Sequence, residues 1–391
     1  MSRKMGGLIV WEVSKVSDST LSPKDTIKKL LLSMGQLGAS DLHLKVGVAP
    51  YYRIAKLLRK VEMPPLPDNK FLEEAIFDLI PEQRRKEFQE GNDVDFSARI
   101  GTGDRYRINV FRSMAEIHVA IRRVQNIVPS FAELNLPEIY HQVIDKSFEG
   151  LILISGVTGS GKSSSLAAMI DYINLNRAAH IITIEDPIEY QFKQAKSIVA
   201  QREIGIDIPN YQDALRYVVR QDPDCIMIGE LRDRETMLAA LQSAETGHLV
   251  LGSLHCSDVQ QTFSRILEFF DRNQHAFIRS SLANSLKAIM CQKLLPGIDE
   301  GSQFPATEVL LNNSLVKEKI IREEDEDMPA IISQAKDDGM RSFTQSLCEL
   351  IETEKVHYDT AMEYAPNREG LASAVKGIST SEGGLVGRIR S

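Results

Sequence analysis

The sequence has few cysteines, and they form no recognisable framework. Its 391 residues include four cysteines, and no two of these form a C-x-x-C pair. Secreted disulfide scaffolds and four-cysteine zinc sites need paired or clustered cysteines, so the spacing argues against both. The four lie far apart in the chain, at Cys225, Cys256, Cys291 and Cys348.

Long hydrophobic runs are also missing. No apolar stretch approaches the roughly 18 residues that a membrane-spanning helix needs. The apolar stretch at residues 6–11 stops at Glu12 and is too short for the core of a signal peptide. We therefore expect a cytoplasmic protein.

Positive charge is not in excess. The chain has 46 lysines and arginines against 54 aspartates and glutamates, for a net charge of −8. A constitutive DNA- or RNA-binding protein usually carries the opposite balance. We expect no nucleic-acid partner.

The most informative motif is a complete P-loop, G-V-T-G-S-G-K-S, at residues 156–163. Phosphate binding needs several backbone N–H groups that point into one concavity, and the three glycines let the chain turn that tightly. Lys162 can then reach the β and γ phosphates of ATP, and the Ser163 hydroxyl can bind Mg²⁺. We predict that the nucleotide is bound by Gly156, Thr158, Gly159, Ser160, Gly161, Lys162, Ser163 and Ser164.

The surroundings of the P-loop fit an α/β domain. An apolar run at residues 151–154 precedes the loop, and residues 164–175 follow with helical spacing of apolar positions. Further apolar runs at residues 181–184, 225–228 and 249–254 alternate with helical patterns. Strands separated by helices indicate a parallel sheet with crossover connections.

Acidic residues follow two of these predicted strands. Glu189 lies shortly after the run 181–184, and Glu230 follows the run 225–228. Ligands bind just beyond the carboxyl ends of parallel strands, where such carboxylates can hold Mg²⁺ or orient an attacking water. His248 and His255 flank the run 249–254, and their residue type leaves a structural role and a nucleotide contact equally open.

The chain divides by composition. An α+β region at residues 22–128 begins with a helix at Pro23, capped by Ser22, and has a helical pattern over residues 71–89. A linker follows at 129–147, with Pro129 and Pro137 as breaks. The sheet domain spans 148–312 and a helical region 313–375. We expect the acidic run 323–327 to be a solvated surface and the tail 376–391 to be disordered.

Together these motifs resemble those of the secretion ATPases that power type IV pili and type II secretion. Residues 182–190 resemble their Asp box, residues 222–233 their Walker B motif and residues 244–255 their His box. The resemblance spans residues 24–375. Within the group the chain is most similar to the pilus retraction ATPases of the PilT and PilU type, since it lacks the four-cysteine zinc insert of assembly motors.

The resemblance implies a RecA-like P-loop ATPase domain with a parallel-type sheet, preceded by an α+β domain of PAS-like fold. It implies a homohexameric, Mg²⁺-dependent ATPase that drives pilus retraction and twitching motility. The implied partners are an inner-membrane platform protein and a paralogous retraction ATPase. The implied location is peripheral, at the cytoplasmic side of the inner membrane.

The resemblance also assigns residue roles. Glu189 corresponds to the catalytic carboxylate and Glu230 to the Walker B acid, while His248 and His255 correspond to the His-box pair. Arg107 and Arg122 correspond to two arginines that the family's N-terminal domain offers to ATP across a subunit boundary. Without the resemblance these two arginines would carry no functional signal.

Two departures from the family pattern bear on function. A turn that usually carries glycine reads Ala55-Lys56, and only the second half of residues 316–323 matches the A-I-R-N-L-I-R-E segment of retraction motors. The second departure favours an accessory, PilU-like motor. An assembly or secretion ATPase, a DNA-translocating motor and a poorly hydrolysing nucleotide-binding scaffold remain alternatives. A GTPase is disfavoured because no N-K-x-D motif is present.

Overall fold

The computed structural model describes residues 22–54, 57–100, 104–124, 127–299 and 301–377. The chain divides into two units, one up to Asn126 and one from Ile127 onward. The departure at Ala55-Lys56 and residues 378–391 of the predicted tail lie outside the described residues. No helix in the described ranges is long and apolar enough to cross a membrane.

The N-terminal unit is built on one antiparallel sheet. Its strands are β1 Asp41–Lys45, β2 Tyr51–Ile54, β3 Leu57–Lys60, β4 Val94–Arg99, β5 Arg105–Ser113 and β6 Glu116–Arg123. Their order in the sheet is β3-β2-β1-β6-β5-β4. The unit's helices are α1 Pro23–Leu37, α2 Asn69–Ile76 and α3 Glu82–Gln89. The predicted α+β character of this region is confirmed.

Helix α1 lies on the sheet for reasons visible in the sequence. The Ser22 side chain accepts a hydrogen bond from the Asp25 N–H, as predicted for an N-cap. The apolar face of α1 is buried, and the hydroxyls of Tyr52 and Tyr106 donate to helix carbonyls at 2.8 Å. The single helix predicted over residues 71–89 is wrong. Pro81 has no N–H and restricts the residue before it, so the chain forms α2, a short 3-10 turn and then α3.

The C-terminal unit contains a seven-stranded sheet. Its strands are β7 Gly150–Ser155, β8 His180–Glu185, β9 Ile198–Glu203, β10 Cys225–Ile228, β11 Leu249–Leu254, β12 Leu286–Pro296 and β13 Gln303–Leu311. Their order is β13-β12-β7-β11-β10-β8-β9, and every neighbouring pair is parallel except β12 with β13. The predicted α/β fold with a parallel-type sheet is confirmed.

Helices cover both faces of this sheet. Leu151 and Leu153 on β7 belong to one buried cluster, whereas Ile152 and Ile154 belong to the cluster on the other face. Burial on both faces explains why the central strands are continuously apolar. The helices are α4 Ile139–Lys146, α5 Lys162–Asn176, α6 Tyr211–Val218, α7 Arg234–Glu245, α8 Val259–Glu268, α9 His275–Ser285, α10 Ser314–Ile321, α11 Met328–Gln334, α12 Phe343–Glu352, α13 Tyr358–Tyr364 and α14 Arg368–Val375.

Two predictions about this unit need correction. The second half of the predicted linker is helix α4, whose apolar residues Tyr140 and Ile144 are buried in the core. The acidic run 323–327 is not simply a solvated surface. Asp325 forms a bidentate ion pair with the buried Arg279, at 2.8 and 2.6 Å, and Asp327 pairs with Lys319 at 2.7 Å.

Candidate nucleotide site

The P-loop connects the end of β7 to the start of α5. Gly156, Gly159 and Gly161 have positive φ values of 156°, 80° and 91°. A Cβ atom on Gly156 would lie 2.6 Å from the Gln292 carbonyl oxygen and would also collide with the Ser160 side chain. Glycine is therefore required where the loop turns closest to β12. The loop delivers its backbone N–H groups to the N-terminus of a 15-residue helix, which is an arrangement that binds phosphate.

Lys162 is the first residue of α5, and its amino group is held inside the loop. Its Nζ donates to the carbonyl oxygens of Gly156 at 2.6 Å and Val157 at 3.2 Å, and lies 3.5 Å from His255 Nδ1. Burial lowers the pKa of Lys162, while the nearby carboxylates of Glu230 and Glu189 oppose that change. A cation held next to the loop's N–H groups can neutralise phosphate charge.

Glu230 follows β10 and faces two basic side chains. One carboxylate oxygen lies 2.7 Å from Arg232 and the other lies 3.2 Å from His255 Nε2. Burial alone would raise the pKa of Glu230. The hydrogen bond and charge of Arg232, together with His255, outweigh that effect and lower it. Glu230 is therefore a carboxylate at neutral pH, as a metal- or water-orienting acid must be.

One cavity brings half of the predicted site residues together. It lies at the carboxyl ends of β7, β8, β10 and β11, as expected for a parallel sheet. Exposed Glu189 reaches it from the loop after β8. Its lining includes Thr158, Gly159, Lys162, Ser163, Glu189, Glu230 and His255.

Two further residues, one that lines this cavity and one that contacts its lining, were given no role by sequence reasoning. Arg232 pairs with Glu230 and lies 3.6 Å from Asp186, so one guanidinium connects the acids of two strand ends. Glu185 ends β8 and is only 7% exposed. Burial raises its pKa to about 7, against hydrogen bonds from Thr183, Gln201 and the Glu189 backbone that lower it. Glu185 could have been identified from the sequence, because it ends one apolar strand just as Glu230 follows another.

The oxygen donors in the cavity fit Mg²⁺. The exposed hydroxyl of Ser163 and the carboxylates of Glu230 and Asp186 line one space, and hard oxygen ligands are those that Mg²⁺ prefers. Among the described residues no group of three His, Cys, Asp or Glu side chains forms a metal site without further ligands. In nucleotide enzymes the phosphates and waters supply those ligands.

His248 does not lie in this cavity. It precedes β11, whereas His255 follows it, so the two occupy opposite edges of the sheet about 20 Å apart. His248 Nδ1 lies 2.9 Å from the Ser243 carbonyl oxygen and 3.2 Å from Thr246 Oγ1, near the end of α7. The structure therefore places His248 away from the cavity predicted to bind the nucleotide, because a residue before a parallel strand cannot reach the edge where the strand ends.

Arg107 and Arg122 lie in the N-terminal unit and are direct cross-strand partners on β5 and β6. Arg107 makes a bidentate pair with Asp95, at 2.6 and 3.2 Å. Arg122 Nε donates to Asp41 at 2.9 Å, and its side chain is 69% exposed. The pairing places both guanidinium groups on one face of the sheet.

Comparison with known proteins places this geometry in a family context. Residues 17–358 match the family model described as type II/IV secretion system protein. The type IV pilus ATPase PilU of Pseudomonas aeruginosa is 36% identical over 355 residues, which cover 91% of this chain and 92% of PilU. The retraction ATPase PilT of the same organism is 36% identical over 339 residues, covering 87% of this chain and 98% of PilT.

A solved structure gives the same picture. The crystal structure of the pilus retraction motor PilT with bound ADP superposes with a TM-score of 0.82 at 37% sequence identity. The match covers 88% of this chain and 98% of the PilT chain. The likeness therefore includes residues of both units, and the second unit contains the nucleotide cavity.

Proposed function

The chain belongs to the family of type II/IV secretion system proteins, and on that premise we propose that it is a motor ATPase that drives type IV pilus retraction. The observation that carries the proposal is the cavity that collects Lys162, Glu189 and Glu230 in a chain that resembles PilT over nearly its whole length. Twitching motility is the cellular activity that such a motor supports.

The residues of the cavity divide the work of hydrolysis. The P-loop N–H groups and the N-terminus of α5 bind the phosphates of ATP. Lys162 stabilises negative charge that develops on the β and γ phosphates. Glu189 orients the attacking water, and Glu230 is the second carboxylate of the site. Ser163 and Glu230 would hold Mg²⁺, which would neutralise phosphate charge when bound.

His255 connects the two halves of this arrangement. Its Nδ1 lies 3.5 Å from Lys162 Nζ, and its Nε2 lies 3.2 Å from Glu230. Because the His255 imidazole lies between Lys162 and Glu230, it can respond to loss of the γ phosphate. Arg232 contacts one carboxylate oxygen of Glu230, so Mg²⁺ would share that carboxylate with the guanidinium.

The motor acts as a self-assembled ring, which we propose to be a homohexamer. Arg107 and Arg122 act on ATP held by a neighbouring subunit in this proposal. Their adjacent positions on one sheet face support that role, since a pair of guanidinium groups can share one phosphate group. The same arginines are paired with Asp95 and Asp41, so phosphate must displace or join those carboxylates.

The direction of the motor and the identity of its partners are inferred from the resemblance to the pilus retraction ATPases. The ring works at the cytoplasmic face of the inner membrane against a platform protein, beside a paralogous retraction ATPase. Identity to PilU and PilT is the same, 36%, so overall similarity does not separate the two types. The PilU-like accessory role rests on residues 316–323, most of which lie on α10 and only half of which match the segment of retraction motors.

Hydrolysis by purified protein tests the biochemical part of the proposal. We expect ATP turnover in Mg²⁺ that stops when EDTA removes the metal and returns when Mg²⁺ is restored in excess. Binding of ATP without turnover would instead identify a nucleotide-binding scaffold. Stimulation of turnover by added DNA would favour a DNA-translocating motor.

A further inference from the structure

The loop that carries Glu189 has no helix or strand of its own to hold it, and only Tyr190 forms a single β-bridge. Residues 186–197 connect β8 to β9 without a helix, although the two strands are parallel neighbours. A carboxylate that orients water must be held within about 0.5 Å of its working position. Something other than a helix or strand ladder must therefore fix the backbone around Glu189.

Gln201, at the middle of edge strand β9, makes contacts that can do this. Its Nε2 donates to the Tyr190 carbonyl oxygen at 2.8 Å and to Glu185 Oε1 at 3.1 Å. Its Oε1 accepts from the Phe192 N–H at 3.3 Å. The amide thus contacts the loop on both sides of residue 191, with both of its N–H groups and its carbonyl engaged.

Glu185 completes the arrangement from β8. Its carboxyl accepts from Thr183 Oγ1 at 2.6 Å, from Gln201 and from the backbone N–H of Glu189. The strand register explains the meeting of these groups. Thr183 pairs directly with Gln201, so both side chains and that of Glu185 project from the same face of the sheet.

A further contact joins the loop to the P-loop helix. The Tyr190 hydroxyl lies 2.7 Å from the Ser164 hydroxyl, two residues after Lys162 on α5. The loop is therefore tied to β8, β9 and α5, on both sides of the cavity that Glu189 lines.

We propose that Gln201 and Glu185 are positioning residues that hold residues 186–192, and with them Glu189, in the geometry needed for hydrolysis. Neither acts on the nucleotide itself. The inference rests on the proposed ATPase function for its effect on rate. Its structural part, the restraint of the loop, stands independently of turnover.

The test replaces Gln201 by methionine, which keeps the length of the side chain and removes the amide. We expect kcat to fall about 10- to 100-fold, because a misplacement of about 1 Å in a reacting group costs up to about 10²-fold in rate. KM for ATP and the Kd for ADP should stay within about threefold, since the phosphate-binding residues are untouched. A merely structural role would lower the melting temperature and leave kcat of the folded protein unchanged.

Gln194→Met is the matched control. Gln194 also holds a backbone carbonyl, that of Ser197 at 2.9 Å, on the same connection but beyond residue 192. This variant should keep the parental kcat. Tyr190→Phe, which removes only the bond to Ser164, provides a second, milder variant if Gln201→Met folds poorly, and its kcat should fall severalfold.

Hydrogen exchange separates failure of this inference from failure of the proposed function. Amides of residues 186–192 should exchange faster in Gln201→Met and Glu185→Gln than in the parent or in Gln194→Met, with ADP bound in all four. Unchanged exchange in both variants, or an unchanged kcat in Gln201→Met and Tyr190→Phe, would overturn the inference. A parent that never hydrolyses ATP would contradict the function, while the exchange result would still decide the role of Gln201.

Discussion

Replacing Lys162 by alanine removes the one ammonium group that reaches into the P-loop from α5. In the structure its Nζ contacts two loop carbonyls, those of Gly156 and Val157, and lies beside His255. The residue is 8% exposed, so its charge acts in a poorly solvated space where electrostatic stabilisation is strong. The variant should still fold and should lose most hydrolysis.

The two consequences differ in size. Leaving a buried carbonyl without its donor costs about 1–3 kcal/mol of unfolding free energy. A typical domain has about 5–15 kcal/mol, so the variant stays folded. Removing one preorganised group that stabilises transition-state charge costs about 10²–10³-fold in kcat. We therefore expect a rate loss of at least that size with a modest fall in melting temperature.

The assay is steady-state turnover at saturating ATP and Mg²⁺, with the melting temperature of each protein measured alongside. Lys293→Ala is a matched control, because Lys293 is a partly buried lysine that also donates to a backbone carbonyl, that of Tyr364 at 3.0 Å, but lies outside the cavity. It should lose stability and keep kcat. Folded Lys162→Ala with near-parental turnover would refute the assignment of the P-loop as the catalytic nucleotide site.

Three further outcomes are expected. Arg107→Ala should bind ATP but hydrolyse it about 10³-fold more slowly, as loss of an arginine finger does. If Arg107 acts in trans, co-assembly with Lys162→Ala should restore turnover. Turnover that stays absent in verified mixed rings would mean that Arg107 acts on the ATP of its own chain. Asp325→Ala should lower the unfolding free energy by about 3 kcal/mol in denaturant titrations, because it strands the buried Arg279 charge, and a change below about 1 kcal/mol would contradict that view. Because the pKa of Glu185 is raised to about 7, the folded state keeps a proton that the unfolded state has released, and the free energy of unfolding should fall as pH rises from about 4.5 to 7. Glu185→Gln should flatten that part of the plot of unfolding free energy against pH. The same plot for Glu185→Gln as for the parent would show that Glu185 titrates normally.

The parts of the site that follow from local sequence could be predicted. The P-loop, the apolar strands β7, β8, β10 and β11, and the acids after them depend on residues within a few positions of one another. Glycine at 156 and lysine at 162 have their roles because of the backbone between them. Short-range patterns of this kind carry both the structure and the chemistry.

Other features depend on contacts that no local pattern encodes. Arg107 and Arg122 face each other only because β5 and β6 pair in one register. The acidic run looked solvated because its partner Arg279 lies 46 residues before Asp325. Strand β9 was not predicted, since an edge strand with polar residues such as Gln201 lacks the apolar run that identified its neighbours.

The position of His248, outside the cavity, has a different origin. Both histidines flank the same strand in sequence, but a parallel strand has a direction, and only the residue after it reaches the ligand-binding edge. Strand polarity was available from the sequence, so this position could have been predicted without coordinates. For Arg107 and Asp325, by contrast, the tertiary structure was necessary.

Direct imaging of labelled pili in living cells tests the central claim of a retraction motor. In a strain that lacks this gene, pili should remain on the surface, while retraction events become fewer or slower. The parental gene should restore retraction and the Lys162→Ala gene should not. A strain without surface pili would contradict the account and identify an assembly motor instead.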